Sequence, residues 1–540
     1  MKARLGVAAA AAALCTAAAL IAGSTVAGAS PAAYARKAVG SGTLLYPDQL
    51  LVSGSTYQTD SGLVAGQTQL PPGCTTGCVT ATAGGTYPQV FNNVLVDPAF
   101  GVTAPVFLQE ISPATGNPLG QINVPTSDLV TSFSSKSELA LNLSPDGSDV
   151  SFVGYVAKPD TVDVSNANTP GVIDPTNPVT GAYYRAVAQL SQSGQFQFTE
   201  TNAYSGDNGR AAITADVKGK ELIYSTGNAG NGSNPQPDGV IVGTGAQLIT
   251  PADKPESAQS PGTPTPVGSF SVTELGDKAD KIGKDDNFRG LTIYNNVLYY
   301  TKGSGSNGVD TVYFLDTTGK ACPNGVGVPA ANASLPASPL AYNAATLQTS
   351  GLPSNMCILK GFPTTLAKSA TQFPFGLWFA NADTLYVADE GNGTDTYANG
   401  QYTAAAADSS AGLQKWVFNS STGSWQLAYT LQGGLNLGQP YTVRGYPTGT
   451  NAATGLPWSP ATDGLRNLTG RVNANGTVTI YAITSTVSGG GDQGADPNKL
   501  VEITDSLSAG SAGSDAFRTL ETASFGEVLR GVAFTPGSRF

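Results

Sequence analysis

The stretch "DDNFRGLTIYNNVLYYTKGSGSNG", residues 285–308, decides the fold. Its core, Phe-Arg-Gly-Leu ahead of an apolar run, returns at the end of the chain as "EVLRGVAFTPGSRF", residues 527–540. Used as a ruler, this phrase finds further copies in "KSELALNLSPDGSDVSFVGYVA" from Lys136, "NGRAAITADVKGKELIYSTGNAGNGSN" from Asn208, "FPFGLWFANADTLYVADEGNGTD" from Phe373 and "GLRNLTGRVNANGTVTIYAITSTVSGGGDQG" from Gly464. A full copy reads as an apolar strand, a tight turn, a second strand and a loop rich in Gly and Asn. The last copy stops after one strand.

Between copies lies a second strand pair: "YYRAVAQLSQSGQFQFTETNAY" (183–204), "TVYFLDTTG" (311–319) with "CILKGF" (357–362), "LQKWVFNSSTGSWQLAYTL" (413–431), and "KLVEITD" (499–505) with "FRTLETA" (517–523). Their β-branched and aromatic residues, separated by Gly, Asn and Asp turns, are strand and hairpin signals. Four antiparallel strands per unit, repeated along one chain, predict an all-β propeller. The orphan strand at the C-terminus needs partners, and "DQLLVSGSTY" (48–57) with "PVFLQEISPATGNPLGQINV" (105–124) supply them from the N-terminus. The two chain ends then share one blade and close the ring, which leaves no open sheet edge. The expectation is a single six-bladed domain over residues 41–540, with room for a seventh blade in 60–100; two separate β domains are the rival.

One copy resembles a known repeat. "LYVADEGNG" (385–393) is similar to the NHL family of propeller repeats, with Leu385, Tyr386, Val387, Asp389 and Asn392 matching its signature, and "SPDGSDVSF" (144–152) resembles propellers of the TolB-like kind. The resemblance covers one or two blades and implies the fold; propellers host many unrelated activities.

Composition narrows the function classes. Charged residues are 12% of the 540, about half of the roughly 25% usual in globular proteins, and 66 Gly with many Ser, Thr and Asn supply polarity instead. A net charge of −11 without a basic patch argues against nucleic acid as a partner. The chain has no histidine, which excludes Ser-His-Asp and Cys-His centres and histidine-ligated zinc or haem. Any catalysis would run on carboxylates, Tyr, Lys, Ser or an oxygen-bound metal.

Residues 1–35 read as an export signal: Lys2 and Arg4, the run "LGVAAAAAALCTAAALIAG", then small-residue sites for cleavage after Ala29 or Ala35. A membrane anchor is the rival, since the run approaches the ~20 residues that span a bilayer. With the signal removed, the expectation is a secreted or envelope-bound monomer with no membrane segment. Cys74, Cys78, Cys322 and Cys357 remain, and an even count in an exported chain predicts disulfides, most economically Cys74–Cys78 and Cys322–Cys357.

Propeller geometry sorts the connections onto two faces. The turns joining strands one–two and three–four are short ("VKGK", "YNNV", "ANAD", "SPDG"), apart from the 322–357 excursion. The opposite face collects long loops at 158–181, 225–239, 388–412 and 488–498, and binding residues concentrate on such loops. On that face an acid precedes an arginine by three residues at four inner-strand entries: Asp207 and Arg210, Asp286 and Arg289, Asp463 and Arg466, Glu527 and Arg530. Two entries depart from the pattern, with Lys136-Ser-Glu138 and Phe373-Pro-Phe375. The pairs either tie neighbouring blades together or form a polar ring that recognises a ligand's carboxylate or hydroxyls.

"DEGNGTDT" (389–396) adds Asp389, Glu390, Asn392 and Asp395, hard oxygen donors that suit Ca²⁺. Asp389 or Glu390 could also serve as acid or base in glycoside chemistry, which needs a second carboxylate facing the sugar. The expected function is binding of an extracellular glycan, small polar molecule or surface protein on the long-loop face. The alternatives are a histidine-free hydrolase, calcium-assisted or carboxylate-based, and a structural envelope or matrix protein.

Overall fold

The computed structural model describes residues 38–39, 44–56, 66–70, 75–80, 103–132, 137–161, 164–173, 175, 177, 179, 181–228, 245–256, 287–305, 308–338, 340, 356–446, 448–450, 454–489 and 496–539. Six antiparallel sheets form the ring. Blade 1 carries the C-terminal strand Glu527–Phe534 innermost, followed by Leu50–Thr56, Val106–Ile111 and Pro118–Asn123. Blade 2 runs from Asn142–Leu143 through Asp149–Tyr155 and Arg185–Ser191 to Phe196–Thr201. Blade 3 is Gly209–Val217, Lys220–Gly227 and Ala246–Ile249. Blade 4 is Phe288–Tyr294, Val297–Lys302, Thr311–Leu315 and Met356–Leu359. Blade 5 is Pro374–Asn381, Thr384–Asp389, Gly412–Asn419 and Ser424–Leu431; blade 6 is Ala461–Val472, Thr477–Val487, Lys499–Ser506 and Arg518–Thr522.

The ends interlock as the repeat requires. Leu50–Thr56 pairs antiparallel with Glu527–Phe534 over its whole length. Beyond the strands, Asp48 donates its amide to Ser538 Oγ at 2.7 Å, and Thr535 Oγ1 donates to the Tyr46 carbonyl at 2.6 Å. Two details differ from a uniform four-stranded pattern. Blade 3 has three strands among the described residues, and blades 1 and 4 each gain a short parallel strand, Ala38–Val39 and Val326–Gly327. The region read as a seventh blade lies mostly outside the described residues; its described part is a two-stranded ribbon of Gln69–Leu70 and Val79–Thr80.

Each strand feeds two cores, which is why the apolar runs look continuous rather than alternating. Leu51 faces the cluster shared with blade 2, beside Leu108, Val150 and Phe152, whereas its neighbours Leu50 and Val52 face blade 6, beside Tyr481, Ile483 and Leu500. The same division repeats around the ring. Leu222 and Tyr224 of blade 3 meet Phe288 and Tyr300 of blade 4; Tyr299 and Phe314 of blade 4 meet Phe379 and Trp425 of blade 5; Tyr386 and Leu413 of blade 5 meet Ile480 and Val501 of blade 6. With successive side chains pointing to opposite faces of a sheet, apolar residues on both faces of an inner strand find a neighbouring blade to bury them.

The repeated glycine after the arginine has a steric cause. Inner strands of adjacent blades approach backbone to backbone, and a Cβ on Gly290 would sit 1.9 Å from the Phe375 carbonyl oxygen of blade 5. At the closing seam a Cβ on Gly531 would lie 2.4 Å from the Leu139 carbonyl oxygen. Real Cβ atoms do not tolerate such contacts, so in blades 4 and 1 the Arg-Gly step of the inner strand is what lets the ring pack.

Cys322 and Cys357 form a disulfide with Cα atoms 5.7 Å apart, closing the 35-residue excursion between the third and fourth strands of blade 4. Cys357 is buried against Leu359, Phe314 and Trp416. Cys78 is disulfide-bonded, and Cys74 lies outside the described residues, as do residues 1–35. Among the described residues no helix is long and apolar enough to cross a membrane. A buried disulfide belongs to chains folded in an oxidising compartment. Closing a loop of this length removes about 3–4 kcal/mol of unfolded-state entropy. Replacing both cysteines by alanine is expected to lower the unfolding free energy by that order, read from the denaturant midpoint and slope; an unchanged midpoint would mean the disulfide contributes nothing to the folding unit.

Candidate functional site at the channel mouth

Side-chain contacts link the inner-strand entries of several blades. Arg210 and Arg466 are buried there, and Arg289 is half-buried. Arg210 donates through Nη1 to Asn287 Oδ1 of blade 4. Arg289 donates through Nη2 to Ser304 Oγ of its own blade and through Nη1 to Ser137 Oγ at the entry of blade 2, reaching past blade 3. Asn287 completes the set by donating Nδ2 to Ser304 Oγ at 2.9 Å. Arg466 Nε donates to Glu390 Oε2 at 3.1 Å, an ion pair between blades 6 and 5 with both side chains buried.

Phe375, which stands where an arginine would continue the pattern, serves both neighbours. The Arg289 guanidinium lies 5.8 Å and that of Arg466 lies 5.2 Å from its ring centre. A ring face attracts a cation by its quadrupole, so the departure from the motif in blade 5 holds two guanidiniums near one another. Burial, followed by the charge of Arg289, pushes Arg210 well below the usual arginine range. Burial also lowers Arg289, with Glu390 opposing the shift and Arg466 adding to it. Beside them, Lys302 Nζ and Asp310 Oδ1 form a buried pair at 2.6 Å. Burial raises Asp310, and Lys302 and Arg289 pull it back.

The acids of the motif are held by partners outside it. Asp207 Oδ1 accepts Asn228 Nδ2 at 2.7 Å, its backbone carbonyl accepts Arg185 Nη2 at 2.6 Å, and Asp463 Oδ2 accepts the Gly393 amide at 2.9 Å. Glu527 Oε2 accepts the Ser524 amide at 3.3 Å, and Arg530 is buried on the same strand. Asp286 lies outside the described residues. Glu138 is buried and accepts from Thr131 Oγ1 and from the Ser132 amide.

Asp389 and Glu390 part company because successive residues of a strand face opposite ways. Asp389 turns into its own blade, where its oxygens accept the Phe373 amide at 2.8 Å, the Gly391 amide at 3.0 Å and Gln414 Nε2 at 3.0 Å. Burial pushes this carboxyl well above the usual range, and the two amides work against that shift. Glu390 turns to Arg466 and the channel. Asn392 donates Nδ2 to Asp408 Oδ2 at 2.9 Å, and Asp395 is exposed. The four residues singled out as calcium donors are thus distributed between a blade interior, the channel and the loop surface.

Two features of this face escape sequence reasoning. Arg185 is fully buried and donates to the carbonyls of Tyr183, Ser165, Ala167 and Asp207, so one guanidinium gathers the loop of blade 2 and the entry of blade 3. The connection from blade 5 to blade 6, residues 432–460, packs Val443, Tyr446 and Trp458 together, with Tyr441 and Phe525 against them. Tyr446 Oη and Ser488 Oγ both donate to the buried Asp496, and Lys499 Nζ lies 3.7 Å from the Tyr441 ring centre. An isolated arginine in a strand and a Gly- and Pro-rich connection give no local signal for either.

No family model matches this sequence, and no curated protein matches it. Solved structures similar to it in fold include an ulvan lyase described as a new polysaccharide lyase family, at 10% identity and a TM-score of 0.32 over 80% of this chain and 91% of that one. A β-xylosidase/α-arabinofuranosidase from a compost microbial metagenome matches at 10% identity and a TM-score of 0.30, covering 70% of this chain and 95% of that one. A β-fructofuranosidase of Bombyx mori matches at 8% identity and a TM-score of 0.28, covering 69% of this chain and 62% of that one. At these identities and scores the likenesses carry no argument about what this chain binds.

Proposed function

We propose that this chain is an exported propeller that binds a polar ligand, an extracellular glycan before a small polar molecule or a surface protein, at the channel mouth on its long-loop face. The observation that carries the reading is the meeting of Arg289 and Arg466 on the Phe375 ring, with Arg210 near enough to Arg289 to feel its charge and Arg289 only half-buried. Architecture alone explains a tie between adjacent blades, such as Arg466 to Glu390. It does not explain an arginine reaching past a blade to a serine hydroxyl, Arg289 to Ser137. Forked donors on a rigid ring suit hydroxyl and carboxylate oxygens of a sugar.

Turnover is the weaker reading. Glycoside hydrolysis needs two carboxylates converging on one substrate, whereas Asp389 is held by three donors inside its blade and Glu390 is held by Arg466. Titrating the mature protein calorimetrically with neutral and uronate tetrasaccharides, in calcium-containing and chelated buffer, tests the reading. Saccharide binding that is weakened by Arg289→Gln, without release of reducing ends, is the expected result. Release of reducing ends would move the function to an enzyme. Absence of saccharide binding in both buffers would remove the glycan.

A further inference from the structure

Two of the arginines at the mouth are held by neutral groups. Arg185, Arg210, Arg289, Arg466 and Lys302 are cations, while Asp207, Glu390 and Asp310 are the carboxylates that act on them. Two of these carboxylates are already committed, Glu390 to Arg466 and Asp310 to Lys302. Among the described residues, Arg210 and Arg289 have no ion pair, and their guanidiniums are held by an amide oxygen and two hydroxyls. The Nε atoms of both are buried with no hydrogen-bond partner among those residues. Keeping two guanidiniums this close to each other and to Arg466, with neutral partners, is costly. An arrangement of this kind is compensated when an anion enters.

We propose that the mouth is an anion-recognition site, in which Arg210 and Arg289 clamp a carboxylate or sulfate ester borne by the ligand. The inference rests on the binding reading above and narrows it to acidic saccharides. Two planar forks approaching from adjacent blades match the geometry of a planar carboxylate or of two sulfate oxygens. Glu390, held by Arg466, repels an anion from its own side of the mouth. Asn287 and Ser304, which now accept from or stand beside the arginines, would turn to the sugar hydroxyls next to the charged group.

Isothermal titration of sodium D-glucuronate, sodium sulfate and D-glucose into wild-type protein, Arg210→Gln and Arg289→Gln tests it. Both anions, or one of them, should bind where glucose does not, with affinity that falls as sodium chloride rises. Each glutamine variant should weaken that binding by about 10- to 100-fold, the usual loss for a hydrogen bond to a charged group. Tighter glucuronate identifies a uronic acid as the ligand's charged group, and tighter sulfate identifies a sulfate ester. Anions that bind no better than glucose, or binding that both folded variants retain, would overturn the proposal. If either variant does not fold, the wild-type contrast between glucuronate and glucose and its salt dependence decide instead. Neutral tetrasaccharides binding equally to all three proteins would sink the anion site and leave the glycan reading standing. Sulfate binding lost in the variants, with no saccharide bound, would do the reverse.

Discussion

Gly290→Ala is expected to destabilise the propeller by more than about 3 kcal/mol, because the new methyl group must displace backbone rather than a side chain. The Cβ would stand 1.9 Å from the Phe375 carbonyl oxygen, and that same oxygen accepts from Thr301 Oγ1 at 2.5 Å, which in turn accepts the Gly290 amide at 2.8 Å. The methyl cannot move away without breaking the bonds that register blade 4 on blade 5. The control is Gly510→Ala, where nothing lies within 4 Å and the substitution should change stability little. Denaturant unfolding followed by tryptophan fluorescence reads both. Equal midpoints for the two variants would show that the repeated Arg-Gly phrase is not the packing device described above.

The second large effect sits between blades 5 and 6. Lys415 Nζ lies 3.1 Å from Asp505 Oδ2, with both side chains 0% exposed. Tyr386 Oη donates to Asp505 Oδ2 at 2.5 Å and Tyr429 Oη to Oδ1 at 2.7 Å, while Lys415 donates to the Ser506 carbonyl at 2.6 Å and to Tyr429 Oη at 2.9 Å. Burial, reinforced by Asp505, raises both tyrosines, so they remain donors. Removing one member of a buried pair strands the other charge and costs about 3–5 kcal/mol. Asp505→Leu should therefore lower the unfolding free energy by that amount. Asp505→Leu combined with Lys415→Met should recover much of it, since an apolar replacement of the whole pair is often neutral. A double variant no better than the single one would show that the two tyrosines, rather than the ion pair, hold the seam.

How much of this was legible in the sequence depends on whether the cause is local. The inner strands were, because one phrase carries both the apolar run and the glycine that adjacent backbones require. The closure was too, since Val528–Phe534 lacks a partner unless the N-terminus provides one. The outer strand of blade 3, Ala246–Ile249, was not: it is four residues long and separated from Lys220–Gly227 by a Gly- and Asn-rich insertion. At the mouth, the arginines were found by their recurrence, but their partners were not. Glu390 is 76 residues from Arg466, and Ser137 is 152 from Arg289. Spacing within a motif suggested the acid three residues before each arginine. Asp207 does act by charge on Arg210, and ring closure adds groups from other blades that only the assembled axis reveals. Phe375 looked like a blade that had lost its arginine, yet its ring is the surface on which two arginines meet.

The position of a bound ligand is the most direct evidence for the anion site at the mouth. A crystal structure of the mature protein grown with an acidic tetrasaccharide, tetragalacturonate, measures that. The expected result is a uronate carboxylate within about 3 Å of the Arg210 and Arg289 guanidiniums, with the remaining sugars running out across the long-loop face. Tetragalacturonate bound with its carboxylates away from both arginines, or seated on the short-turn face, would contradict the account.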